Sequence, residues 1–201
     1  PYGRNFLGTP PQGRADYAFI QHILKSMDPH TGRCSILLPH GVLFRNEESE
    51  MRERLVRSDL VEAVIGLGAN LFFNSPMEAC ILICRSEKAP NRSKKILFVD
   101  ASAEVTRKNA QSYLEPQHIK RIVDAYRSDE DIEGFSSHAS FSELEGNAFS
   151  LSIPLYVKPS NDENADDRSI EETVESWRAA STEAASLLDI IAAKLHENDG
   201  E

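Results

Sequence analysis

The stretch LVEAVIGLGANLFFNSPMEACILICR, residues 60–85, contains two apolar runs separated by a loop. The runs at 60–67 and 77–85 have the length and apolar content typical of buried strands. The segment between them is rich in Gly, Asn, Ser and Pro, which indicates a loop rather than a crossover helix. Because no helix separates the two strands, we expect them to pair antiparallel.

Helices and strands alternate on both sides of this pair. Apolar residues recur at three- and four-residue spacing from Asp16 to Met27, which predicts an amphipathic helix. The remaining pattern predicts a short buried strand at 34–38, a surface helix at 47–57, a strand at 96–99 and a helix at 116–126. Alternation of this kind indicates an α/β fold with a largely parallel sheet.

The last part of the chain differs from the rest in charge. Residues 159–201 carry 12 acidic and 3 basic side chains, a net charge of −9. They account for nearly all of the net charge of the whole chain, which is −10. The body is therefore close to neutral, so the acidic total does not exclude a nucleic-acid partner. Residues 158–168 have almost no apolar content and predict a solvated acidic linker.

A long helix is predicted after this linker, over residues 169–201. Ser169 and Glu172 have the spacing of a capping box, and apolar residues then recur at roughly heptad spacing. One interpretation is an amphipathic assembly helix that contacts a partner subunit. In the other, its apolar stripe folds back onto the body, and the sequence leaves both open.

Composition excludes several classes of protein and site. No apolar run approaches the ~18 residues of a membrane span, and no charged-then-apolar leader opens the chain, so we expect a cytoplasmic location. The chain begins with Pro1, so we expect a piece of a longer protein.

Cys80 and Cys84 lie in an apolar run, which predicts buried thiols rather than disulfides. The scattered histidines lack metal-ligand spacing, so no metal site is expected. Ile65-Gly66-Leu67-Gly68 lacks the third glycine of a dinucleotide-binding loop.

Two loops carry aromatic residues that could contact a ligand. Pro1-Tyr2-Gly3 places a tyrosine in a Pro/Gly segment, and the loop at 71–76 places Phe72 beside Phe73. Two adjacent aromatic side chains in a loop are not expected to point into the same core. Either one of the pair caps the sheet, or one is available to stack on a ligand.

Five segments, in this order, resemble the methyltransferase (M, modification) subunit of type I restriction–modification systems. They are GTPPQGRADYAFIQH at 8–22, LPHGVLF at 38–44, ESEMRERL at 48–55 followed by DLVEAVI at 59–65, LFFNSPMEACIL at 71–82, and LFVDA at 97–101. The resemblance covers residues 1–157 and implies the C-terminal half of a Rossmann-like, S-adenosylmethionine-dependent methyltransferase sheet, followed by a long C-terminal helix.

The resemblance also implies an activity and partners. The family transfers a methyl group from S-adenosylmethionine to N6 of adenine in double-stranded DNA. Its members assemble with a specificity subunit, a second modification subunit and the restriction subunit. Residues 1–157 would then be the C-terminal part of the catalytic domain.

Site residues follow from the same resemblance. The catalytic motif of the family is Asn-Pro-Pro-Tyr or Asn-Pro-Pro-Phe, and Pro1-Tyr2-Gly3 resembles its end, so Pro1 and Tyr2 are the implied catalytic residues. Phe72, Phe73 and Asn74 are the implied substrate-binding residues. Tyr2 would stack on one side of an extruded adenine and Phe72 or Phe73 on the other.

The glycine-rich cofactor loop of the family lies upstream of that motif. We therefore expect this chain alone neither to bind S-adenosylmethionine well nor to methylate DNA.

Two alternative functions remain open. The chain could be a non-catalytic subunit-interaction module, or a methyltransferase of protein glutamine, whose motif is also Asn-Pro-Pro-Tyr.

Overall fold

The computed structural model describes residues 3–73, 75–109 and 111–158, together with residues 174, 177, 178, 181 and 182. The chain divides into two compact units, Pro1–Ser160 and Asn161–Glu201. In the first unit the described helices are α1 (Asp16–Ser26), α2 (Ser49–Arg57), α3 (Pro116–Arg127) and α4 (Phe141–Gly146). The described strands are β1 (Arg33–Pro39), β2 (Val61–Leu67), β3 (Ala79–Arg85), β4 (Lys95–Ala101), β5 (Thr106–Lys108), β6 (Gln111–Tyr113) and β7 (Ser136–Ser140).

The main sheet has the strand order β1-β3-β2-β4-β7, and β5 pairs with β6 in a separate hairpin. The predicted antiparallel pairing of the two runs in 60–85 is confirmed, since β2 and β3 pair antiparallel with Val64 opposite Leu82. The prediction of a largely parallel sheet is wrong. Among the described strands, β2 with β4 is the one parallel pair.

The insertion of β3 explains this difference. Strands β1, β2 and β4 run in one direction, as expected for strands linked by crossovers. β3 returns directly from β2 and lies between β1 and β2, where it pairs antiparallel with both. The alternation of elements therefore predicted the common direction of β1, β2 and β4, but it predicted neither their adjacency nor the antiparallel pairing of β7 with β4.

Both faces of the sheet are buried in its centre. On one face Val64, Leu82 and Phe98 pack against α1 and α2, through residues such as Ile20 and Leu55. The other face packs against α3, with Ala63, Ile65, Leu97, Val99, Ile122 and Ala125 in one cluster. A strand covered on both sides reads as a continuous apolar run, which is why β2 could be predicted from sequence.

Strand β1 is less buried than predicted. It is an outer strand of the described sheet, with its cross-strand partner β3 on one side. Ile36 and Leu38 are buried, whereas Leu37 between them is exposed. The strand is therefore half-buried, because α1 covers one of its faces.

The helix predicted at the surface over 47–57 also holds a buried charge. Arg52 is only 3% exposed. Its Nε donates to the Phe149 carbonyl oxygen at 3.1 Å, and its Nη1 donates to the Arg45 carbonyl oxygen at 2.9 Å. The guanidinium thus links α2 to the irregular segments that contain Phe149 and Arg45. The charge pattern of residues 47–57 in the sequence did not indicate this role.

The predicted assembly helix and the linker before it are described only in small part. Val174, Trp177, Arg178, Ser181 and Thr182 are helical. The other residues of 169–201, and residues 159–168, lie outside the described part of the chain. No helix within the described residues has both the length and the apolar character that crossing a membrane requires.

Candidate functional site

The topology brings two chain segments to one edge of the sheet. β2 and β4 are parallel neighbours, so the segments that follow their carboxyl ends lie close together. The loop of residues 68–78 follows β2 and contains Phe72 and Phe73. The β5–β6 hairpin lies in the segment that follows β4.

A cavity of about 500 Å³ lies between these segments. The loop contributes Asn70, Phe72, Phe73, Ser75 and Pro76, and the hairpin segment contributes Lys108, Asn109, Gln111 and Tyr113. This volume falls within the range of pockets that hold drug-sized ligands, roughly 300–1,000 Å³. The lining combines aromatic faces, amide groups and one lysine, which are the groups that proteins use to hold nucleotides.

A second, smaller cavity adjoins the first. Its volume is about 200 Å³, and it shares Phe72 and Ser75 with the larger cavity. Its other lining residues come from the ends of β1 and β3 and the segment before β3, and they are Leu37, Leu38, Pro39, Met77, Glu78 and Ala79. Phe72 therefore stands between a cavity of mixed lining and a mainly apolar one.

The backbone holds the loop in place. The Ser75 amide donates to the Phe72 carbonyl oxygen at 3.1 Å, which closes a turn around Phe73. Asn70 adopts a left-handed conformation with φ of 61°, and its carbonyl oxygen accepts from the Ser112 amide of β6 at 2.9 Å. The loop and the hairpin are therefore joined directly by a backbone hydrogen bond.

The two phenylalanines differ in exposure. Phe72 is 37% exposed and Phe73 is 84% exposed. The exposed ring of Phe73 is available to stack on a planar ligand, while Phe72 is partly packed. Which of the two rings contacts a ligand stays a prediction.

Two of the five predicted site residues lie in the described part of the chain. Phe72 and Phe73 are brought together at the larger cavity. Pro1, Tyr2 and Asn74 lie outside the described residues, so the clamp of Tyr2 with a phenylalanine stays a prediction.

Sequence reasoning missed the hairpin side of this cavity. Lys108, Gln111 and Tyr113 belong to short strands on either side of a turn that includes Asn109, whose φ is 57°. An asparagine in a left-handed conformation is a common turn residue, so the run of polar and aromatic residues around it is a hairpin signal. The contact with the Phe72 loop is non-local and left no local signal.

Charges near the cavity are held by neighbouring groups. Lys108 Nζ lies 3.8 Å from Glu115 Oε1. A hydrogen bond from the Gln117 amide lowers the pKa of Glu115, and the charge of Lys108 acts in the same direction. Glu115 therefore stays ionised near neutral pH, where it also caps the first turn of α3.

Gly66 at the end of β2 and Gly68 just after it do not form a cofactor cradle. A Cβ on Gly66 would lie 2.6 Å from Ile153 Cδ1, and a Cβ on Gly68 would lie 2.5 Å from the Ser102 carbonyl oxygen. The protein's own atoms therefore occupy the space beside both glycines. The residues around Gly66 and Gly68 therefore do not fit S-adenosylmethionine.

The thiols and other metal-ligating groups do not form a centre either. Cys80 and Cys84 are free and buried, as predicted, and Cys34 is free and partly exposed. No group of three or more His, Cys, Asp or Glu side chains among the described residues is placed to hold a metal ion.

Comparison with known proteins gives the class of this mixed α/β protein. A model of the N-6 DNA methylase family matches residues 2–165. The chain belongs to this family.

Individual relatives are more specific. The chain is 33% identical over 186 residues to the type I restriction enzyme MjaVII methylase subunit of Methanocaldococcus jannaschii, covering 90% of this chain and 31% of the relative. It is 30% identical over 169 residues to the type I restriction enzyme HindI methylase subunit of Haemophilus influenzae, covering 78% and 37%. The chain thus spans about a third of the length of these relatives.

Solved structures agree with this assignment. The type I restriction-modification system methyltransferase subunit from Streptococcus thermophilus superposes with a TM-score of 0.72 at 38% identity, over 79% of this chain and 33% of that one. The EcoKI M protein gives a TM-score of 0.62 at 15% identity, over 90% and 45%, which shows the fold alone. The expected Rossmann-like methyltransferase fold is therefore confirmed.

Proposed function

We propose that this chain is part of the modification subunit of a type I restriction–modification system, which transfers a methyl group from S-adenosylmethionine to N6 of adenine in double-stranded DNA. The observation that carries the proposal is the exposed Phe73 ring at a cavity of about 500 Å³, in a chain of the N-6 DNA methylase family. The names of the relatives support the same activity.

Base extrusion is the physical requirement that this cavity would meet. An adenine stacked inside a duplex does not present its N6 atom to a methyl donor, so the base must leave the helix at a cost of a few kcal/mol. Stacking on an aromatic side chain returns about 1–3 kcal/mol per base. Phe73 would supply this stacking, and Phe72 would close the apolar side of the pocket.

Other residues of this chain would complete the site. In the proposal Pro1 and Tyr2 are the end of the catalytic motif, Tyr2 stacks on the second face of the adenine, and Asn74 lies beside the base. S-adenosylmethionine supplies the methyl group when it is bound. Because neighbouring atoms fill the space beside Gly66 and Gly68, we place the cofactor site in other parts of the full-length protein.

The rest of the proposal concerns assembly. In the proposal, residues 1–157 are the C-terminal part of the catalytic domain, 158–168 are a linker, and 169–201 are an assembly helix that contacts the specificity subunit or another modification subunit. A second modification subunit and the restriction subunit complete the complex, which acts in the cytoplasm. A solved structure of a type I restriction-modification system superposes with a TM-score of 0.53 at 20% identity, which supports the fold alone.

The proposal is tested with the full-length protein and its specificity subunit. The complex is incubated with methyl-labelled S-adenosylmethionine and target DNA, and the digested nucleosides are analysed by mass spectrometry. We expect N6-methyladenine and protection of the DNA from the cognate nuclease. Label on glutamine of a protein, with none in DNA, would favour the glutamine methyltransferase alternative. Assembly without any methyl transfer would favour the interaction module.

A further inference from the structure

The hairpin wall of the cavity has no part in the function proposed so far. Lys108 pairs across the hairpin with Gln111, and Thr106 pairs with Tyr113, so these four residues lie on one face. Lys108, Gln111 and Tyr113 of this face line the cavity. Arg107 pairs with Ser112 on the opposite face and does not line it.

The hairpin is fixed relative to the phenylalanine loop. Ser112 is only 4% exposed, and its amide donates to the Asn70 carbonyl oxygen at 2.9 Å. A face that is anchored in this way presents its side chains at a defined position. This pre-organisation lowers the entropy lost when a ligand binds.

The chemistry of the face suits a nucleotide. The Lys108 side chain is 68% exposed and carries a positive charge. The Tyr113 hydroxyl donates to Gln111 Oε1 at 3.3 Å, which leaves the amide hydrogens of Gln111 for another partner. Lysine binds phosphate, and amide groups bind base edges or the sugar–phosphate backbone.

A purely structural role of Lys108, as the ion-pair partner of Glu115, explains its position less well than a role in ligand binding. Its ion pair with Glu115 is long, at 3.8 Å, and exposed, and such pairs contribute little to stability. Glu115 already accepts a hydrogen bond from Gln117 Nε2 at 2.6 Å, and it is the N-cap residue of α3. The helix therefore does not need Lys108, while Lys108 is one of the residues that line the cavity.

We propose that the face formed by Lys108, Gln111 and Tyr113 is a DNA-positioning surface, on which Lys108 binds a backbone phosphate next to the base held by Phe73. This inference rests on the proposed function and adds to it a wall that positions the extruded nucleotide. Lys108 is a positioning residue rather than a catalytic one, because its proposed contact is with the phosphate and not with the reacting N6 atom.

The test compares Lys108→Ala with Arg107→Ala in the full-length modification subunit assembled with its specificity subunit. The dissociation constant for a target duplex is measured across a salt series. Each phosphate contact contributes about −0.9 to the slope of log K against log salt concentration. We expect Lys108→Ala to weaken binding several-fold at low salt and to reduce the slope by about 1. Arg107→Ala should leave the slope unchanged, and Lys108→Arg should restore it.

Several outcomes would overturn the inference. One is an unchanged slope in Lys108→Ala, and another is an equal loss of slope in Arg107→Ala. Thermal unfolding midpoints of the variants show whether either change merely disturbs folding. If Lys108→Ala unfolds, the charge-neutral Lys108→Gln is measured instead.

Failure of this inference is distinguishable from failure of the proposed function. If the wild-type complex methylates adenine and the slope does not respond to Lys108, the positioning surface is wrong and the function stands. If the wild-type complex methylates no DNA, the proposed function fails. A response of the slope to Lys108 alone would then still support a phosphate contact.

Discussion

The Ser112 amide donates a hydrogen bond to the Asn70 carbonyl oxygen at 2.9 Å, and this bond joins the β5–β6 hairpin to the loop that carries Phe72 and Phe73. The two residues are far apart in sequence, yet the parallel pairing of β2 and β4 places both at the same edge of the sheet. The cavity exists because of this junction, since its lining comes from both segments.

Phe73→Ala should weaken extrusion of the target base. The ring is 84% exposed, so its removal costs little folding stability, while a stacking contact of about 1–3 kcal/mol is lost. In the full-length complex, we expect the midpoint concentration for the 2-aminopurine fluorescence gain at the target position to rise roughly 5- to 150-fold. Phe19→Ala is the matched control, because Phe19 is exposed on α1 and does not line the cavity. Equal effects of both changes would contradict a stacking role.

Arg52→Met should destabilise the body of the protein. The change leaves the carbonyl oxygens of Arg45 and Phe149 without the charged donor that they now share. We expect the free energy of unfolding to fall by about 2–4 kcal/mol, measured by urea titration. Lys120→Met, at an exposed position of α3, should change it by less than about 1 kcal/mol. A loss no larger in Arg52→Met than in Lys120→Met would refute the assigned role of Arg52.

Gly66→Ala should be tolerated poorly. Gly66 lies within β2, and an added Cβ would meet Ile153 Cδ1 at 2.6 Å, so Ile153 has to move. Overpacking of this kind costs about 1–3 kcal/mol, which a chemical denaturation curve detects. Gly146→Ala is the control, since its added Cβ would meet no atom within 4 Å apart from its chain neighbours and the backbone of its own helix. The packing described around β2 is wrong if Gly66→Ala is as stable as the parent chain.

The three thiols should differ in reactivity. A hydrogen bond from Cys84 lowers the pKa of Cys34 to about 7, whereas burial raises the pKa of Cys80 to about 12. Because the thiolate is the nucleophile, Cys34 becomes reactive as the pH rises through about 7. Alkylation by iodoacetamide, mapped by mass spectrometry from about pH 6 to about pH 9, should modify Cys34 first and Cys80 hardly at all.

A variant separates the hydrogen bond from simple exposure. Cys84→Ala removes the donor, so the pKa of Cys34 should rise and its alkylation midpoint should move to higher pH. An unchanged midpoint in Cys84→Ala would show that exposure alone sets the reactivity of Cys34.

Local patterns in the sequence were enough to predict the elements that are buried on both sides or have clear ends. β2 and β3 are continuous apolar runs joined by a loop, and α3 begins at Pro116, so their existence and the pairing of the two strands were predictable. The adjacency of β1 and β3 was not predictable from local pattern. It depends on pairing between residues such as Cys34 and Cys84, which are distant in sequence.

The site shows the same division. Phe72 and Phe73 were identifiable because two aromatic residues in one loop are unusual. Lys108, Gln111 and Tyr113 were missed because their position at the cavity depends on the contact between Ser112 and Asn70. The burial of Arg52 was missed for a similar reason, since its acceptor on Phe149 is a tertiary partner.

The most direct test of the account is where the target base lies when the complete enzyme holds DNA. The target adenine is replaced by 5-iodouracil, the full-length complex with its specificity subunit is irradiated, and the crosslinked peptide is sequenced. The account predicts crosslinks to Phe72, Phe73 or Tyr2, or to Tyr113 of the hairpin. Crosslinks confined to other elements, such as α1 or α2, would show that the cavity at this edge of the sheet does not receive the base.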